Sequence, residues 1–324
     1  MEQEYESGAA VLSPLASEPR LDWVMCASVG GTHRMAYWEW GDPHNDRVLL
    51  CVHGLTGNGR DFDALAQRMS AQYRVVAPDI VGRGRSDWLH EPGAYTVMQY
   101  VADILVLLAR VKASHLDWVG TSMGGLIALG LQAGLLGLGV TPHQASFELG
   151  LPDSARLSLG KLVLNDVGPS LNVQGIQRIA DNLAQQPVFD TYAQVLAYVQ
   201  ATAARLGLPA EQPWEHIIAH QYREREGRWH RHYDSRLAVP FRHQAESDLQ
   251  QAQALLWGAF GSWPAPVLIL HGVESDLLSA EQVEQMLKAQ STARVHHFPG
   301  VGHAPSLRLD TELDIIERFL LEKA

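Results

Sequence analysis

Val119-Gly120-Thr121-Ser122-Met123-Gly124-Gly125, running straight on into Leu126-Ile127-Ala128-Leu129, is the stretch from which the rest of the chain is read. A short apolar run breaks at Gly-x-Ser-x-Gly and resumes, the pattern of a strand, a sharp turn and a helix. At so sharp a turn the backbone folds close on itself. A Cβ at either glycine would then clash, and the serine side chain alone is presented outward. Unpaired N–H groups at the start of the following helix would lie beside it, where a developing oxyanion could sit. Helix capping also favours serine, but it does not require glycine on both sides. Ser122 is therefore a candidate nucleophile, which needs a base, an acid to orient the base, and oxyanion donors.

Upstream, Trp23–Ser28 and Arg34–Trp40 read as two strands joined by a Gly30-Gly31 turn. Val48–Val52 is a continuous apolar run, expected of a strand buried on both faces, and it empties into the glycine loop His53–Gly59. A helix over Phe62–Met69, a strand over Arg74–Ala77 and a second glycine loop, Pro78–Ser86, follow. Tyr100, Val101, Ile104, Leu105, Leu108 and Val111 make one apolar helical stripe ahead of the strand Leu116–Val119 that feeds Ser122. Strands separated by helices of this length imply right-handed crossovers, a parallel sheet with helices on both faces, and a site at the carboxyl ends of the strands. The strand series resumes at Lys161–Asp166 and again at Val267–His271. A helix over Ala280–Gln290, a strand over Arg294–Phe298 and a last helix carrying Leu309, Leu313, Ile316 and Leu320 complete it.

Downstream of Ser122, His271-Gly272-Val273-Glu274-Ser275-Asp276 follows one apolar strand and Gly300-Val301-Gly302-His303-Ala304-Pro305 follows the last. With HG at His53-Gly54, GRGRSD at Gly82–Asp87 and GTSMGG at Gly120–Gly125, these landmarks resemble the α/β-hydrolase superfamily, in its capped serine-hydrolase branch of esterases, enol-lactonases and C–C bond hydrolases. The resemblance spans Trp23 to the C-terminus, and the order serine, acid, histidine is that of the fold. It implies an α/β sheet of about eight mostly parallel strands plus a helical cap. By position it makes Ser122 the nucleophile, His303 the general base, Asp276 the orienting acid, and the backbone N–H groups of Leu55 and Met123 the oxyanion hole. Asp166 is a rival acid, since some relatives take theirs from the strand it follows. The implied activity is hydrolysis of a carboxylic ester, lactone or related acyl compound through an acyl-enzyme. The alternatives are C–C bond hydrolysis of a diketone, thioester hydrolysis or acyl transfer, and a non-catalytic small-molecule receptor. Serine where other branches carry aspartate argues against a dehalogenase or epoxide hydrolase.

The domain reading is a lead-in over 1–20, a core of 21–168 with 261–324, and an insert over 169–260 whose periodicity reads as helical throughout. A Leu- and Gly-rich stretch over 134–160 is a further insertion. Trp214, Trp229 and Trp257, with Phe241, are candidates to line a substrate pocket or to pack within the insert. Between Arg223 and Arg242 six arginines face three carboxylates. Arg223 and Arg231 are candidates for holding a substrate carboxylate, against the alternative of a solvated helix face. Lys+Arg 25 against Asp+Glu 36 gives a net charge of −11, which argues against nucleic acid or an anionic membrane as partner and for a small acyl molecule. Met1–Glu6 has no basic leader pattern, so a cytoplasmic monomer or homodimer is expected. The two cysteines, Cys26 and Cys51, form no disulfide framework, and no Cys/His/carboxylate spacing predicts a metal or a cofactor.

Overall fold

The computed structural model describes residues 18–137, 157–170, 175, 178, 181, 183, 186–205, 210, 213–242 and 246–323. Eight strands form one sheet: β1 (Arg20–Ser28), β2 (Gly31–Trp40), β3 (Arg47–Val52), β4 (Arg74–Pro78), β5 (His115–Thr121), β6 (Ser158–Asn165), β9 (Val267–Gly272) and β10 (Ala293–Phe298). Their order is β1-β2-β4-β3-β5-β6-β9-β10. The hairpin β1–β2 and the β2–β4 pair are antiparallel, and every pairing from β4 to β10 is parallel. The apolar runs of β3 and β9 are buried on both faces, as a sheet covered by helices requires. Each buried Leu, Ile or Val there contributes roughly 1.5–3 kcal/mol.

Helices α1 (Asp63–Met69) and α8 (Asp310–Leu321) cover one face, where Leu65, Met69, Leu313, Ile316 and Leu320 join one buried cluster with Leu49 and Val163. Helices α2 (Val97–Val111) and α3 (Met123–Gly137) cover the other, packing Ile104, Leu107 and Ile127 against Leu50, Trp118 and Leu164. The stripe on α2 is displaced from the sequence expectation at one position. Leu105 is exposed and Leu107 takes its place, because Leu107 lies three residues from Ile104, a spacing that faces the core as well as four does.

Between β6 and β9 the chain forms α4 (Tyr192–Arg205), α5 (Trp214–Gln221), a hairpin of β7 (Tyr222–Arg225) and β8 (Arg228–Arg231), and α6 (Glu246–Gly261). The expectation of helix throughout is corrected at this hairpin. Arg-Glu-Arg-Glu alternates with period two, and Glu226-Gly227 turns with positive φ at both positions (53° and 74°), the conformation a two-residue hairpin turn demands. A small core of Val195, Val199, Ile217, Ile218 and Tyr222 sits within this insert. Helix α7 (Ala280–Ala289) precedes β10. Most of the lead-in and of the 134–160 stretch lies outside the described residues; α3 runs on to Gly137 and β6 begins at Ser158. No helix among the described residues is long and apolar enough to cross a membrane.

Candidate active site

The loops after β3, β4, β5, β6 and β10 all leave the carboxyl edge of the parallel strands, and the site assembles there. Ser122 has φ 50°, a left-handed conformation unusual for a side-chain-bearing residue and characteristic of a nucleophile elbow. Its N–H donates to the Asn165 carbonyl at 2.9 Å. The flanking glycines are steric necessities. A Cβ on Gly124 would lie 1.9 Å from the Val52 carbonyl oxygen, and one on Gly120 would lie 2.5 Å from the Gly124 carbonyl carbon.

His303, in the loop between β10 and α8, faces Ser122 Oγ through Nε2 at 2.9 Å and the Asp166 carboxylate through Nδ1 at 2.7 Å. With Nδ1–H donating to the carboxylate, Nε2 is free to accept the serine proton. Asp166 is fully buried at the end of β6; its other oxygen accepts the Gly272 N–H at 2.9 Å and its own N–H donates to the Leu270 carbonyl at 2.8 Å. The partner of the imidazole is therefore Asp166, and the expectation of Asp276 is corrected. The turn after β9, in which Ser275 Oγ accepts the Leu277 and Leu278 amides, carries Asp276 outward, where it is half exposed and ion-paired with Arg178. Asn165, buried beside Asp166, donates to Thr121 Oγ1 at 3.1 Å and to the Pro305 carbonyl at 2.9 Å, tying the serine and histidine loops together.

Among the described residues, the amides of Leu55 and Met123 donate to no acceptor, and Met123 opens helix α3 beside Ser122. The Leu55 loop is braced from behind by Arg83. This buried guanidinium donates to the Leu55 carbonyl at 2.9 Å, the Val81 carbonyl at 2.7 Å and Tyr100 Oη at 3.0 Å, and its remaining nitrogen lies 3.4 Å from Met123 sulfur. His53 braces the same loop, paired with the Gly54 carbonyl through Nδ1 and accepting the Ile80 N–H through Nε2 at 2.9 Å. Burial pushes its pKa down to about 3, so it is neutral and serves as a strut. Asp79 gathers the Gly59 and Arg85 amides at 2.7 Å each, and burial raises its carboxyl to about 6.

A cavity of about 960 Å³ opens onto Ser122, Asp166 and His303 between α3 and α6. Leu126, Val167, Phe241, Leu255 and Leu256 give it a largely apolar wall, and the described residues lining it include no lysine or arginine. Phe241 is the one aromatic candidate that reaches it. Trp214 and Trp229 pack into the small core of the insert, Trp257 donates to Ser170 Oγ at 3.0 Å without lining the cavity, and neither Arg223 nor Arg231 lines it. Arg231 instead lies over the Tyr222 ring and bonds its hydroxyl at 3.1 Å. The expectation that these five residues bind substrate is corrected. The hairpin turns the arginines away from the cavity, a direction helical spacing would not have given them.

Two groups of described residues have donor atoms close enough to hold a cation, Asp63–His216–His220 and Cys26–His33–Asp103. Sequence spacing assembles neither set: His216 and His220 lie four apart on α5 but Asp63 comes from α1, and Cys26, His33 and Asp103 come from three different elements.

The family described as the alpha/beta hydrolase family matches residues 49–313. A 3-hydroxybutyrate-oligomer hydrolase of Cupriavidus necator is 41% identical over 309 residues, covering 94% of this chain and 99% of that protein. An alpha/beta hydrolase structure from Novosphingobium aromaticivorans superposes with a TM-score of 0.74 at 29% identity, over 94% of this chain and 98% of its own. A structure from Rickettsia typhi does so with a TM-score of 0.77 at 25% identity, over 94% and 100%.

Proposed function

Because the chain belongs to the alpha/beta hydrolase family, we propose that it is a serine hydrolase that cleaves short linear oligoesters of a hydroxy acid, 3-hydroxybutyrate oligomers foremost. The observation that carries the reading is the continuous relay from Asp166 through His303 to Ser122, at 2.7 and 2.9 Å, on the floor of an apolar cavity. The likeness to the Cupriavidus necator hydrolase over nearly the full length of both chains supports the substrate class. So does a wall whose described residues include no lysine or arginine, which suits a chain of uncharged ester units.

His303 Nε2 takes the Ser122 proton as Oγ attacks the ester carbonyl, and the oxyanion moves into the Leu55 and Met123 amides. The protonated imidazole, held by Asp166, gives its proton to the departing hydroxy-acid oxygen and leaves an acyl-enzyme. Water, activated by the same imidazole, then releases the acid. Each backbone donor stabilises that oxyanion by about 3 kcal/mol. Residues 169–260 act as the cap that closes the cavity over the sheet edge.

The test is hydrolysis of a 3-hydroxybutyrate trimer, followed by release of monomer. Ser122→Ala is expected to keep the wild-type circular dichroism spectrum and to lose at least about 10⁴-fold in kcat. Turnover within tenfold of wild type by the folded variant contradicts the assignment.

A further inference from the structure

We propose that Cys26, His33 and Asp103 form a structural site for a divalent transition metal of the zinc class, fastening the β1–β2 hairpin to helix α2. Cys26 on β1 and His33 on β2 are direct cross-strand partners in the antiparallel register. Cross-strand partners point to the same face of the sheet, and Asp103 on α2 meets them there. A thiol sulfur, an imidazole nitrogen and a carboxylate oxygen lie within 4.8 Å of one another, close to the separations of ligands around one tetrahedral ion. All three residues are buried, at 2%, 3% and 1% exposure.

One ring nitrogen of the cluster has no partner among the described residues. His33 Nε2 sits 2.9 Å from Asp103 Oδ2, yet its Nδ1 is buried with no hydrogen-bond partner among the described residues. Asp103 receives Gln99 Nε2 at 2.8 Å, and the ion pairs among the described residues bring it no lysine or arginine. A buried carboxylate supported only by an imidazole and neutral donors is a costly arrangement. A divalent cation that displaces the thiol proton to solvent brings thiolate, carboxylate and metal to zero net charge. Sulfur, nitrogen and oxygen donors together select zinc-like ions over magnesium or calcium. The fourth position falls to water or to Gln99, one helical turn from Asp103 on the same face.

The other cluster does not qualify. In Asp63–His216–His220 the Arg60 guanidinium already occupies the carboxylate, with Nε at 2.7 and 2.9 Å from its two oxygens. The proposed site is also remote from the chemistry. β1 is separated from β5 by β2, β4 and β3, about 19 Å at ordinary strand spacing. Helix α2, which carries Asp103, supplies Val97, Met98 and Tyr100 of its first turn to the cavity wall.

The experiment uses the full chain, stripped with a chelator and titrated with Co²⁺ and then Zn²⁺ at micromolar concentrations. The expected result is one ion per chain, a thiolate-to-cobalt charge-transfer band, and a zinc-dependent rise in Tm. The band persists in Cys51→Ala, which leaves Cys26 as the only thiol, and in His216→Gln. Cys26→Ser and Asp103→Asn lose affinity by more than the roughly 10–100-fold that losing an outer-shell partner costs. No uptake by the wild-type chain, uptake without the charge-transfer band, or uptake abolished by His216→Gln overturns the site.

Discussion

Asp166 and Asp276 are the same residue type, each following an apolar strand that ends on the same sheet edge, and only one of them reaches His303. Asp166 abuts its strand with no spacer and adopts a left-handed conformation, φ 56°, that holds its carboxylate beneath the imidazole. Asp276 stands four residues beyond Gly272, past a serine turn, and pairs with Arg178 in solvent. Chain order is identical for both, so order alone does not separate them. The usable signal was local: an acid pressed against an apolar strand is buried and demands a partner, whereas one set among Glu274 and Ser275 in a polar loop does not. Asp166→Asn is expected to lower kcat on a 3-hydroxybutyrate oligomer by about 10³–10⁴-fold, since the amide no longer holds the proper imidazole tautomer. Asp276→Asn should stay within about twofold. Steady-state kinetics of the two purified variants decide, and the reverse ranking would return the acid to the loop after β9.

At the scale of elements, the elbow was legible because its constraints are steric. The Gly-x-Ser-x-Gly stretch announces a strand, a turn and a helix, and the structure supplies the atoms that forbid a Cβ: the Val52 carbonyl at Gly124 and the Gly124 carbonyl carbon at Gly120. Gly124→Ala is expected to destabilise the protein by about 3 kcal/mol or more, since β3 and α3 would have to separate. Denaturant unfolding measures this, and an unchanged midpoint would mean that the close approach is not rigid. The hairpin of β7 and β8 was misread because charged residues at mixed spacings fit a helical face about as well as a strand when no apolar pattern decides between them. Its signal was the Glu-Gly pair at the centre of the alternation. Arg83 and Asn165, which brace the elbow and its loops, left little trace in the pattern, because their partners are backbone carbonyls and a hydroxyl contributed by distant segments.

For the whole molecule, the sheet, its parallel core and the edge that carries the site follow from apolar runs alternating with helical stripes. The direction of the cap arginines and the two donor clusters did not, because they depend on which elements meet. The buried histidines give the fold a directional response to pH. His53 and His232 are held near 3 by burial, against an ordinary value of 6.5, so the unfolded chain takes up their protons first. Their stabilisation is intact above pH 6.5 and is lost as pH falls toward 3, by about 1.4 kcal/mol per unit for each. Asp79, raised to about 6, works the other way, contributing fully below its ordinary range and losing that contribution as pH rises to 6, an offset of one group against these two and His220, which burial lowers to about 4. Tm is therefore expected to fall between pH 7 and pH 5, and calorimetry showing it flat or rising would contradict the neutral state of these histidines.

The central claim is that Ser122 is the nucleophile for oligoester cleavage, and covalent trapping tests it most directly. A fluorophosphonate incubated with the full chain and mapped by peptide mass spectrometry should give one adduct, on Ser122, appearing in step with the loss of 3-hydroxybutyrate-oligomer hydrolysis. An adduct elsewhere, or oligomer hydrolysis that persists with Ser122 fully labelled, would contradict it.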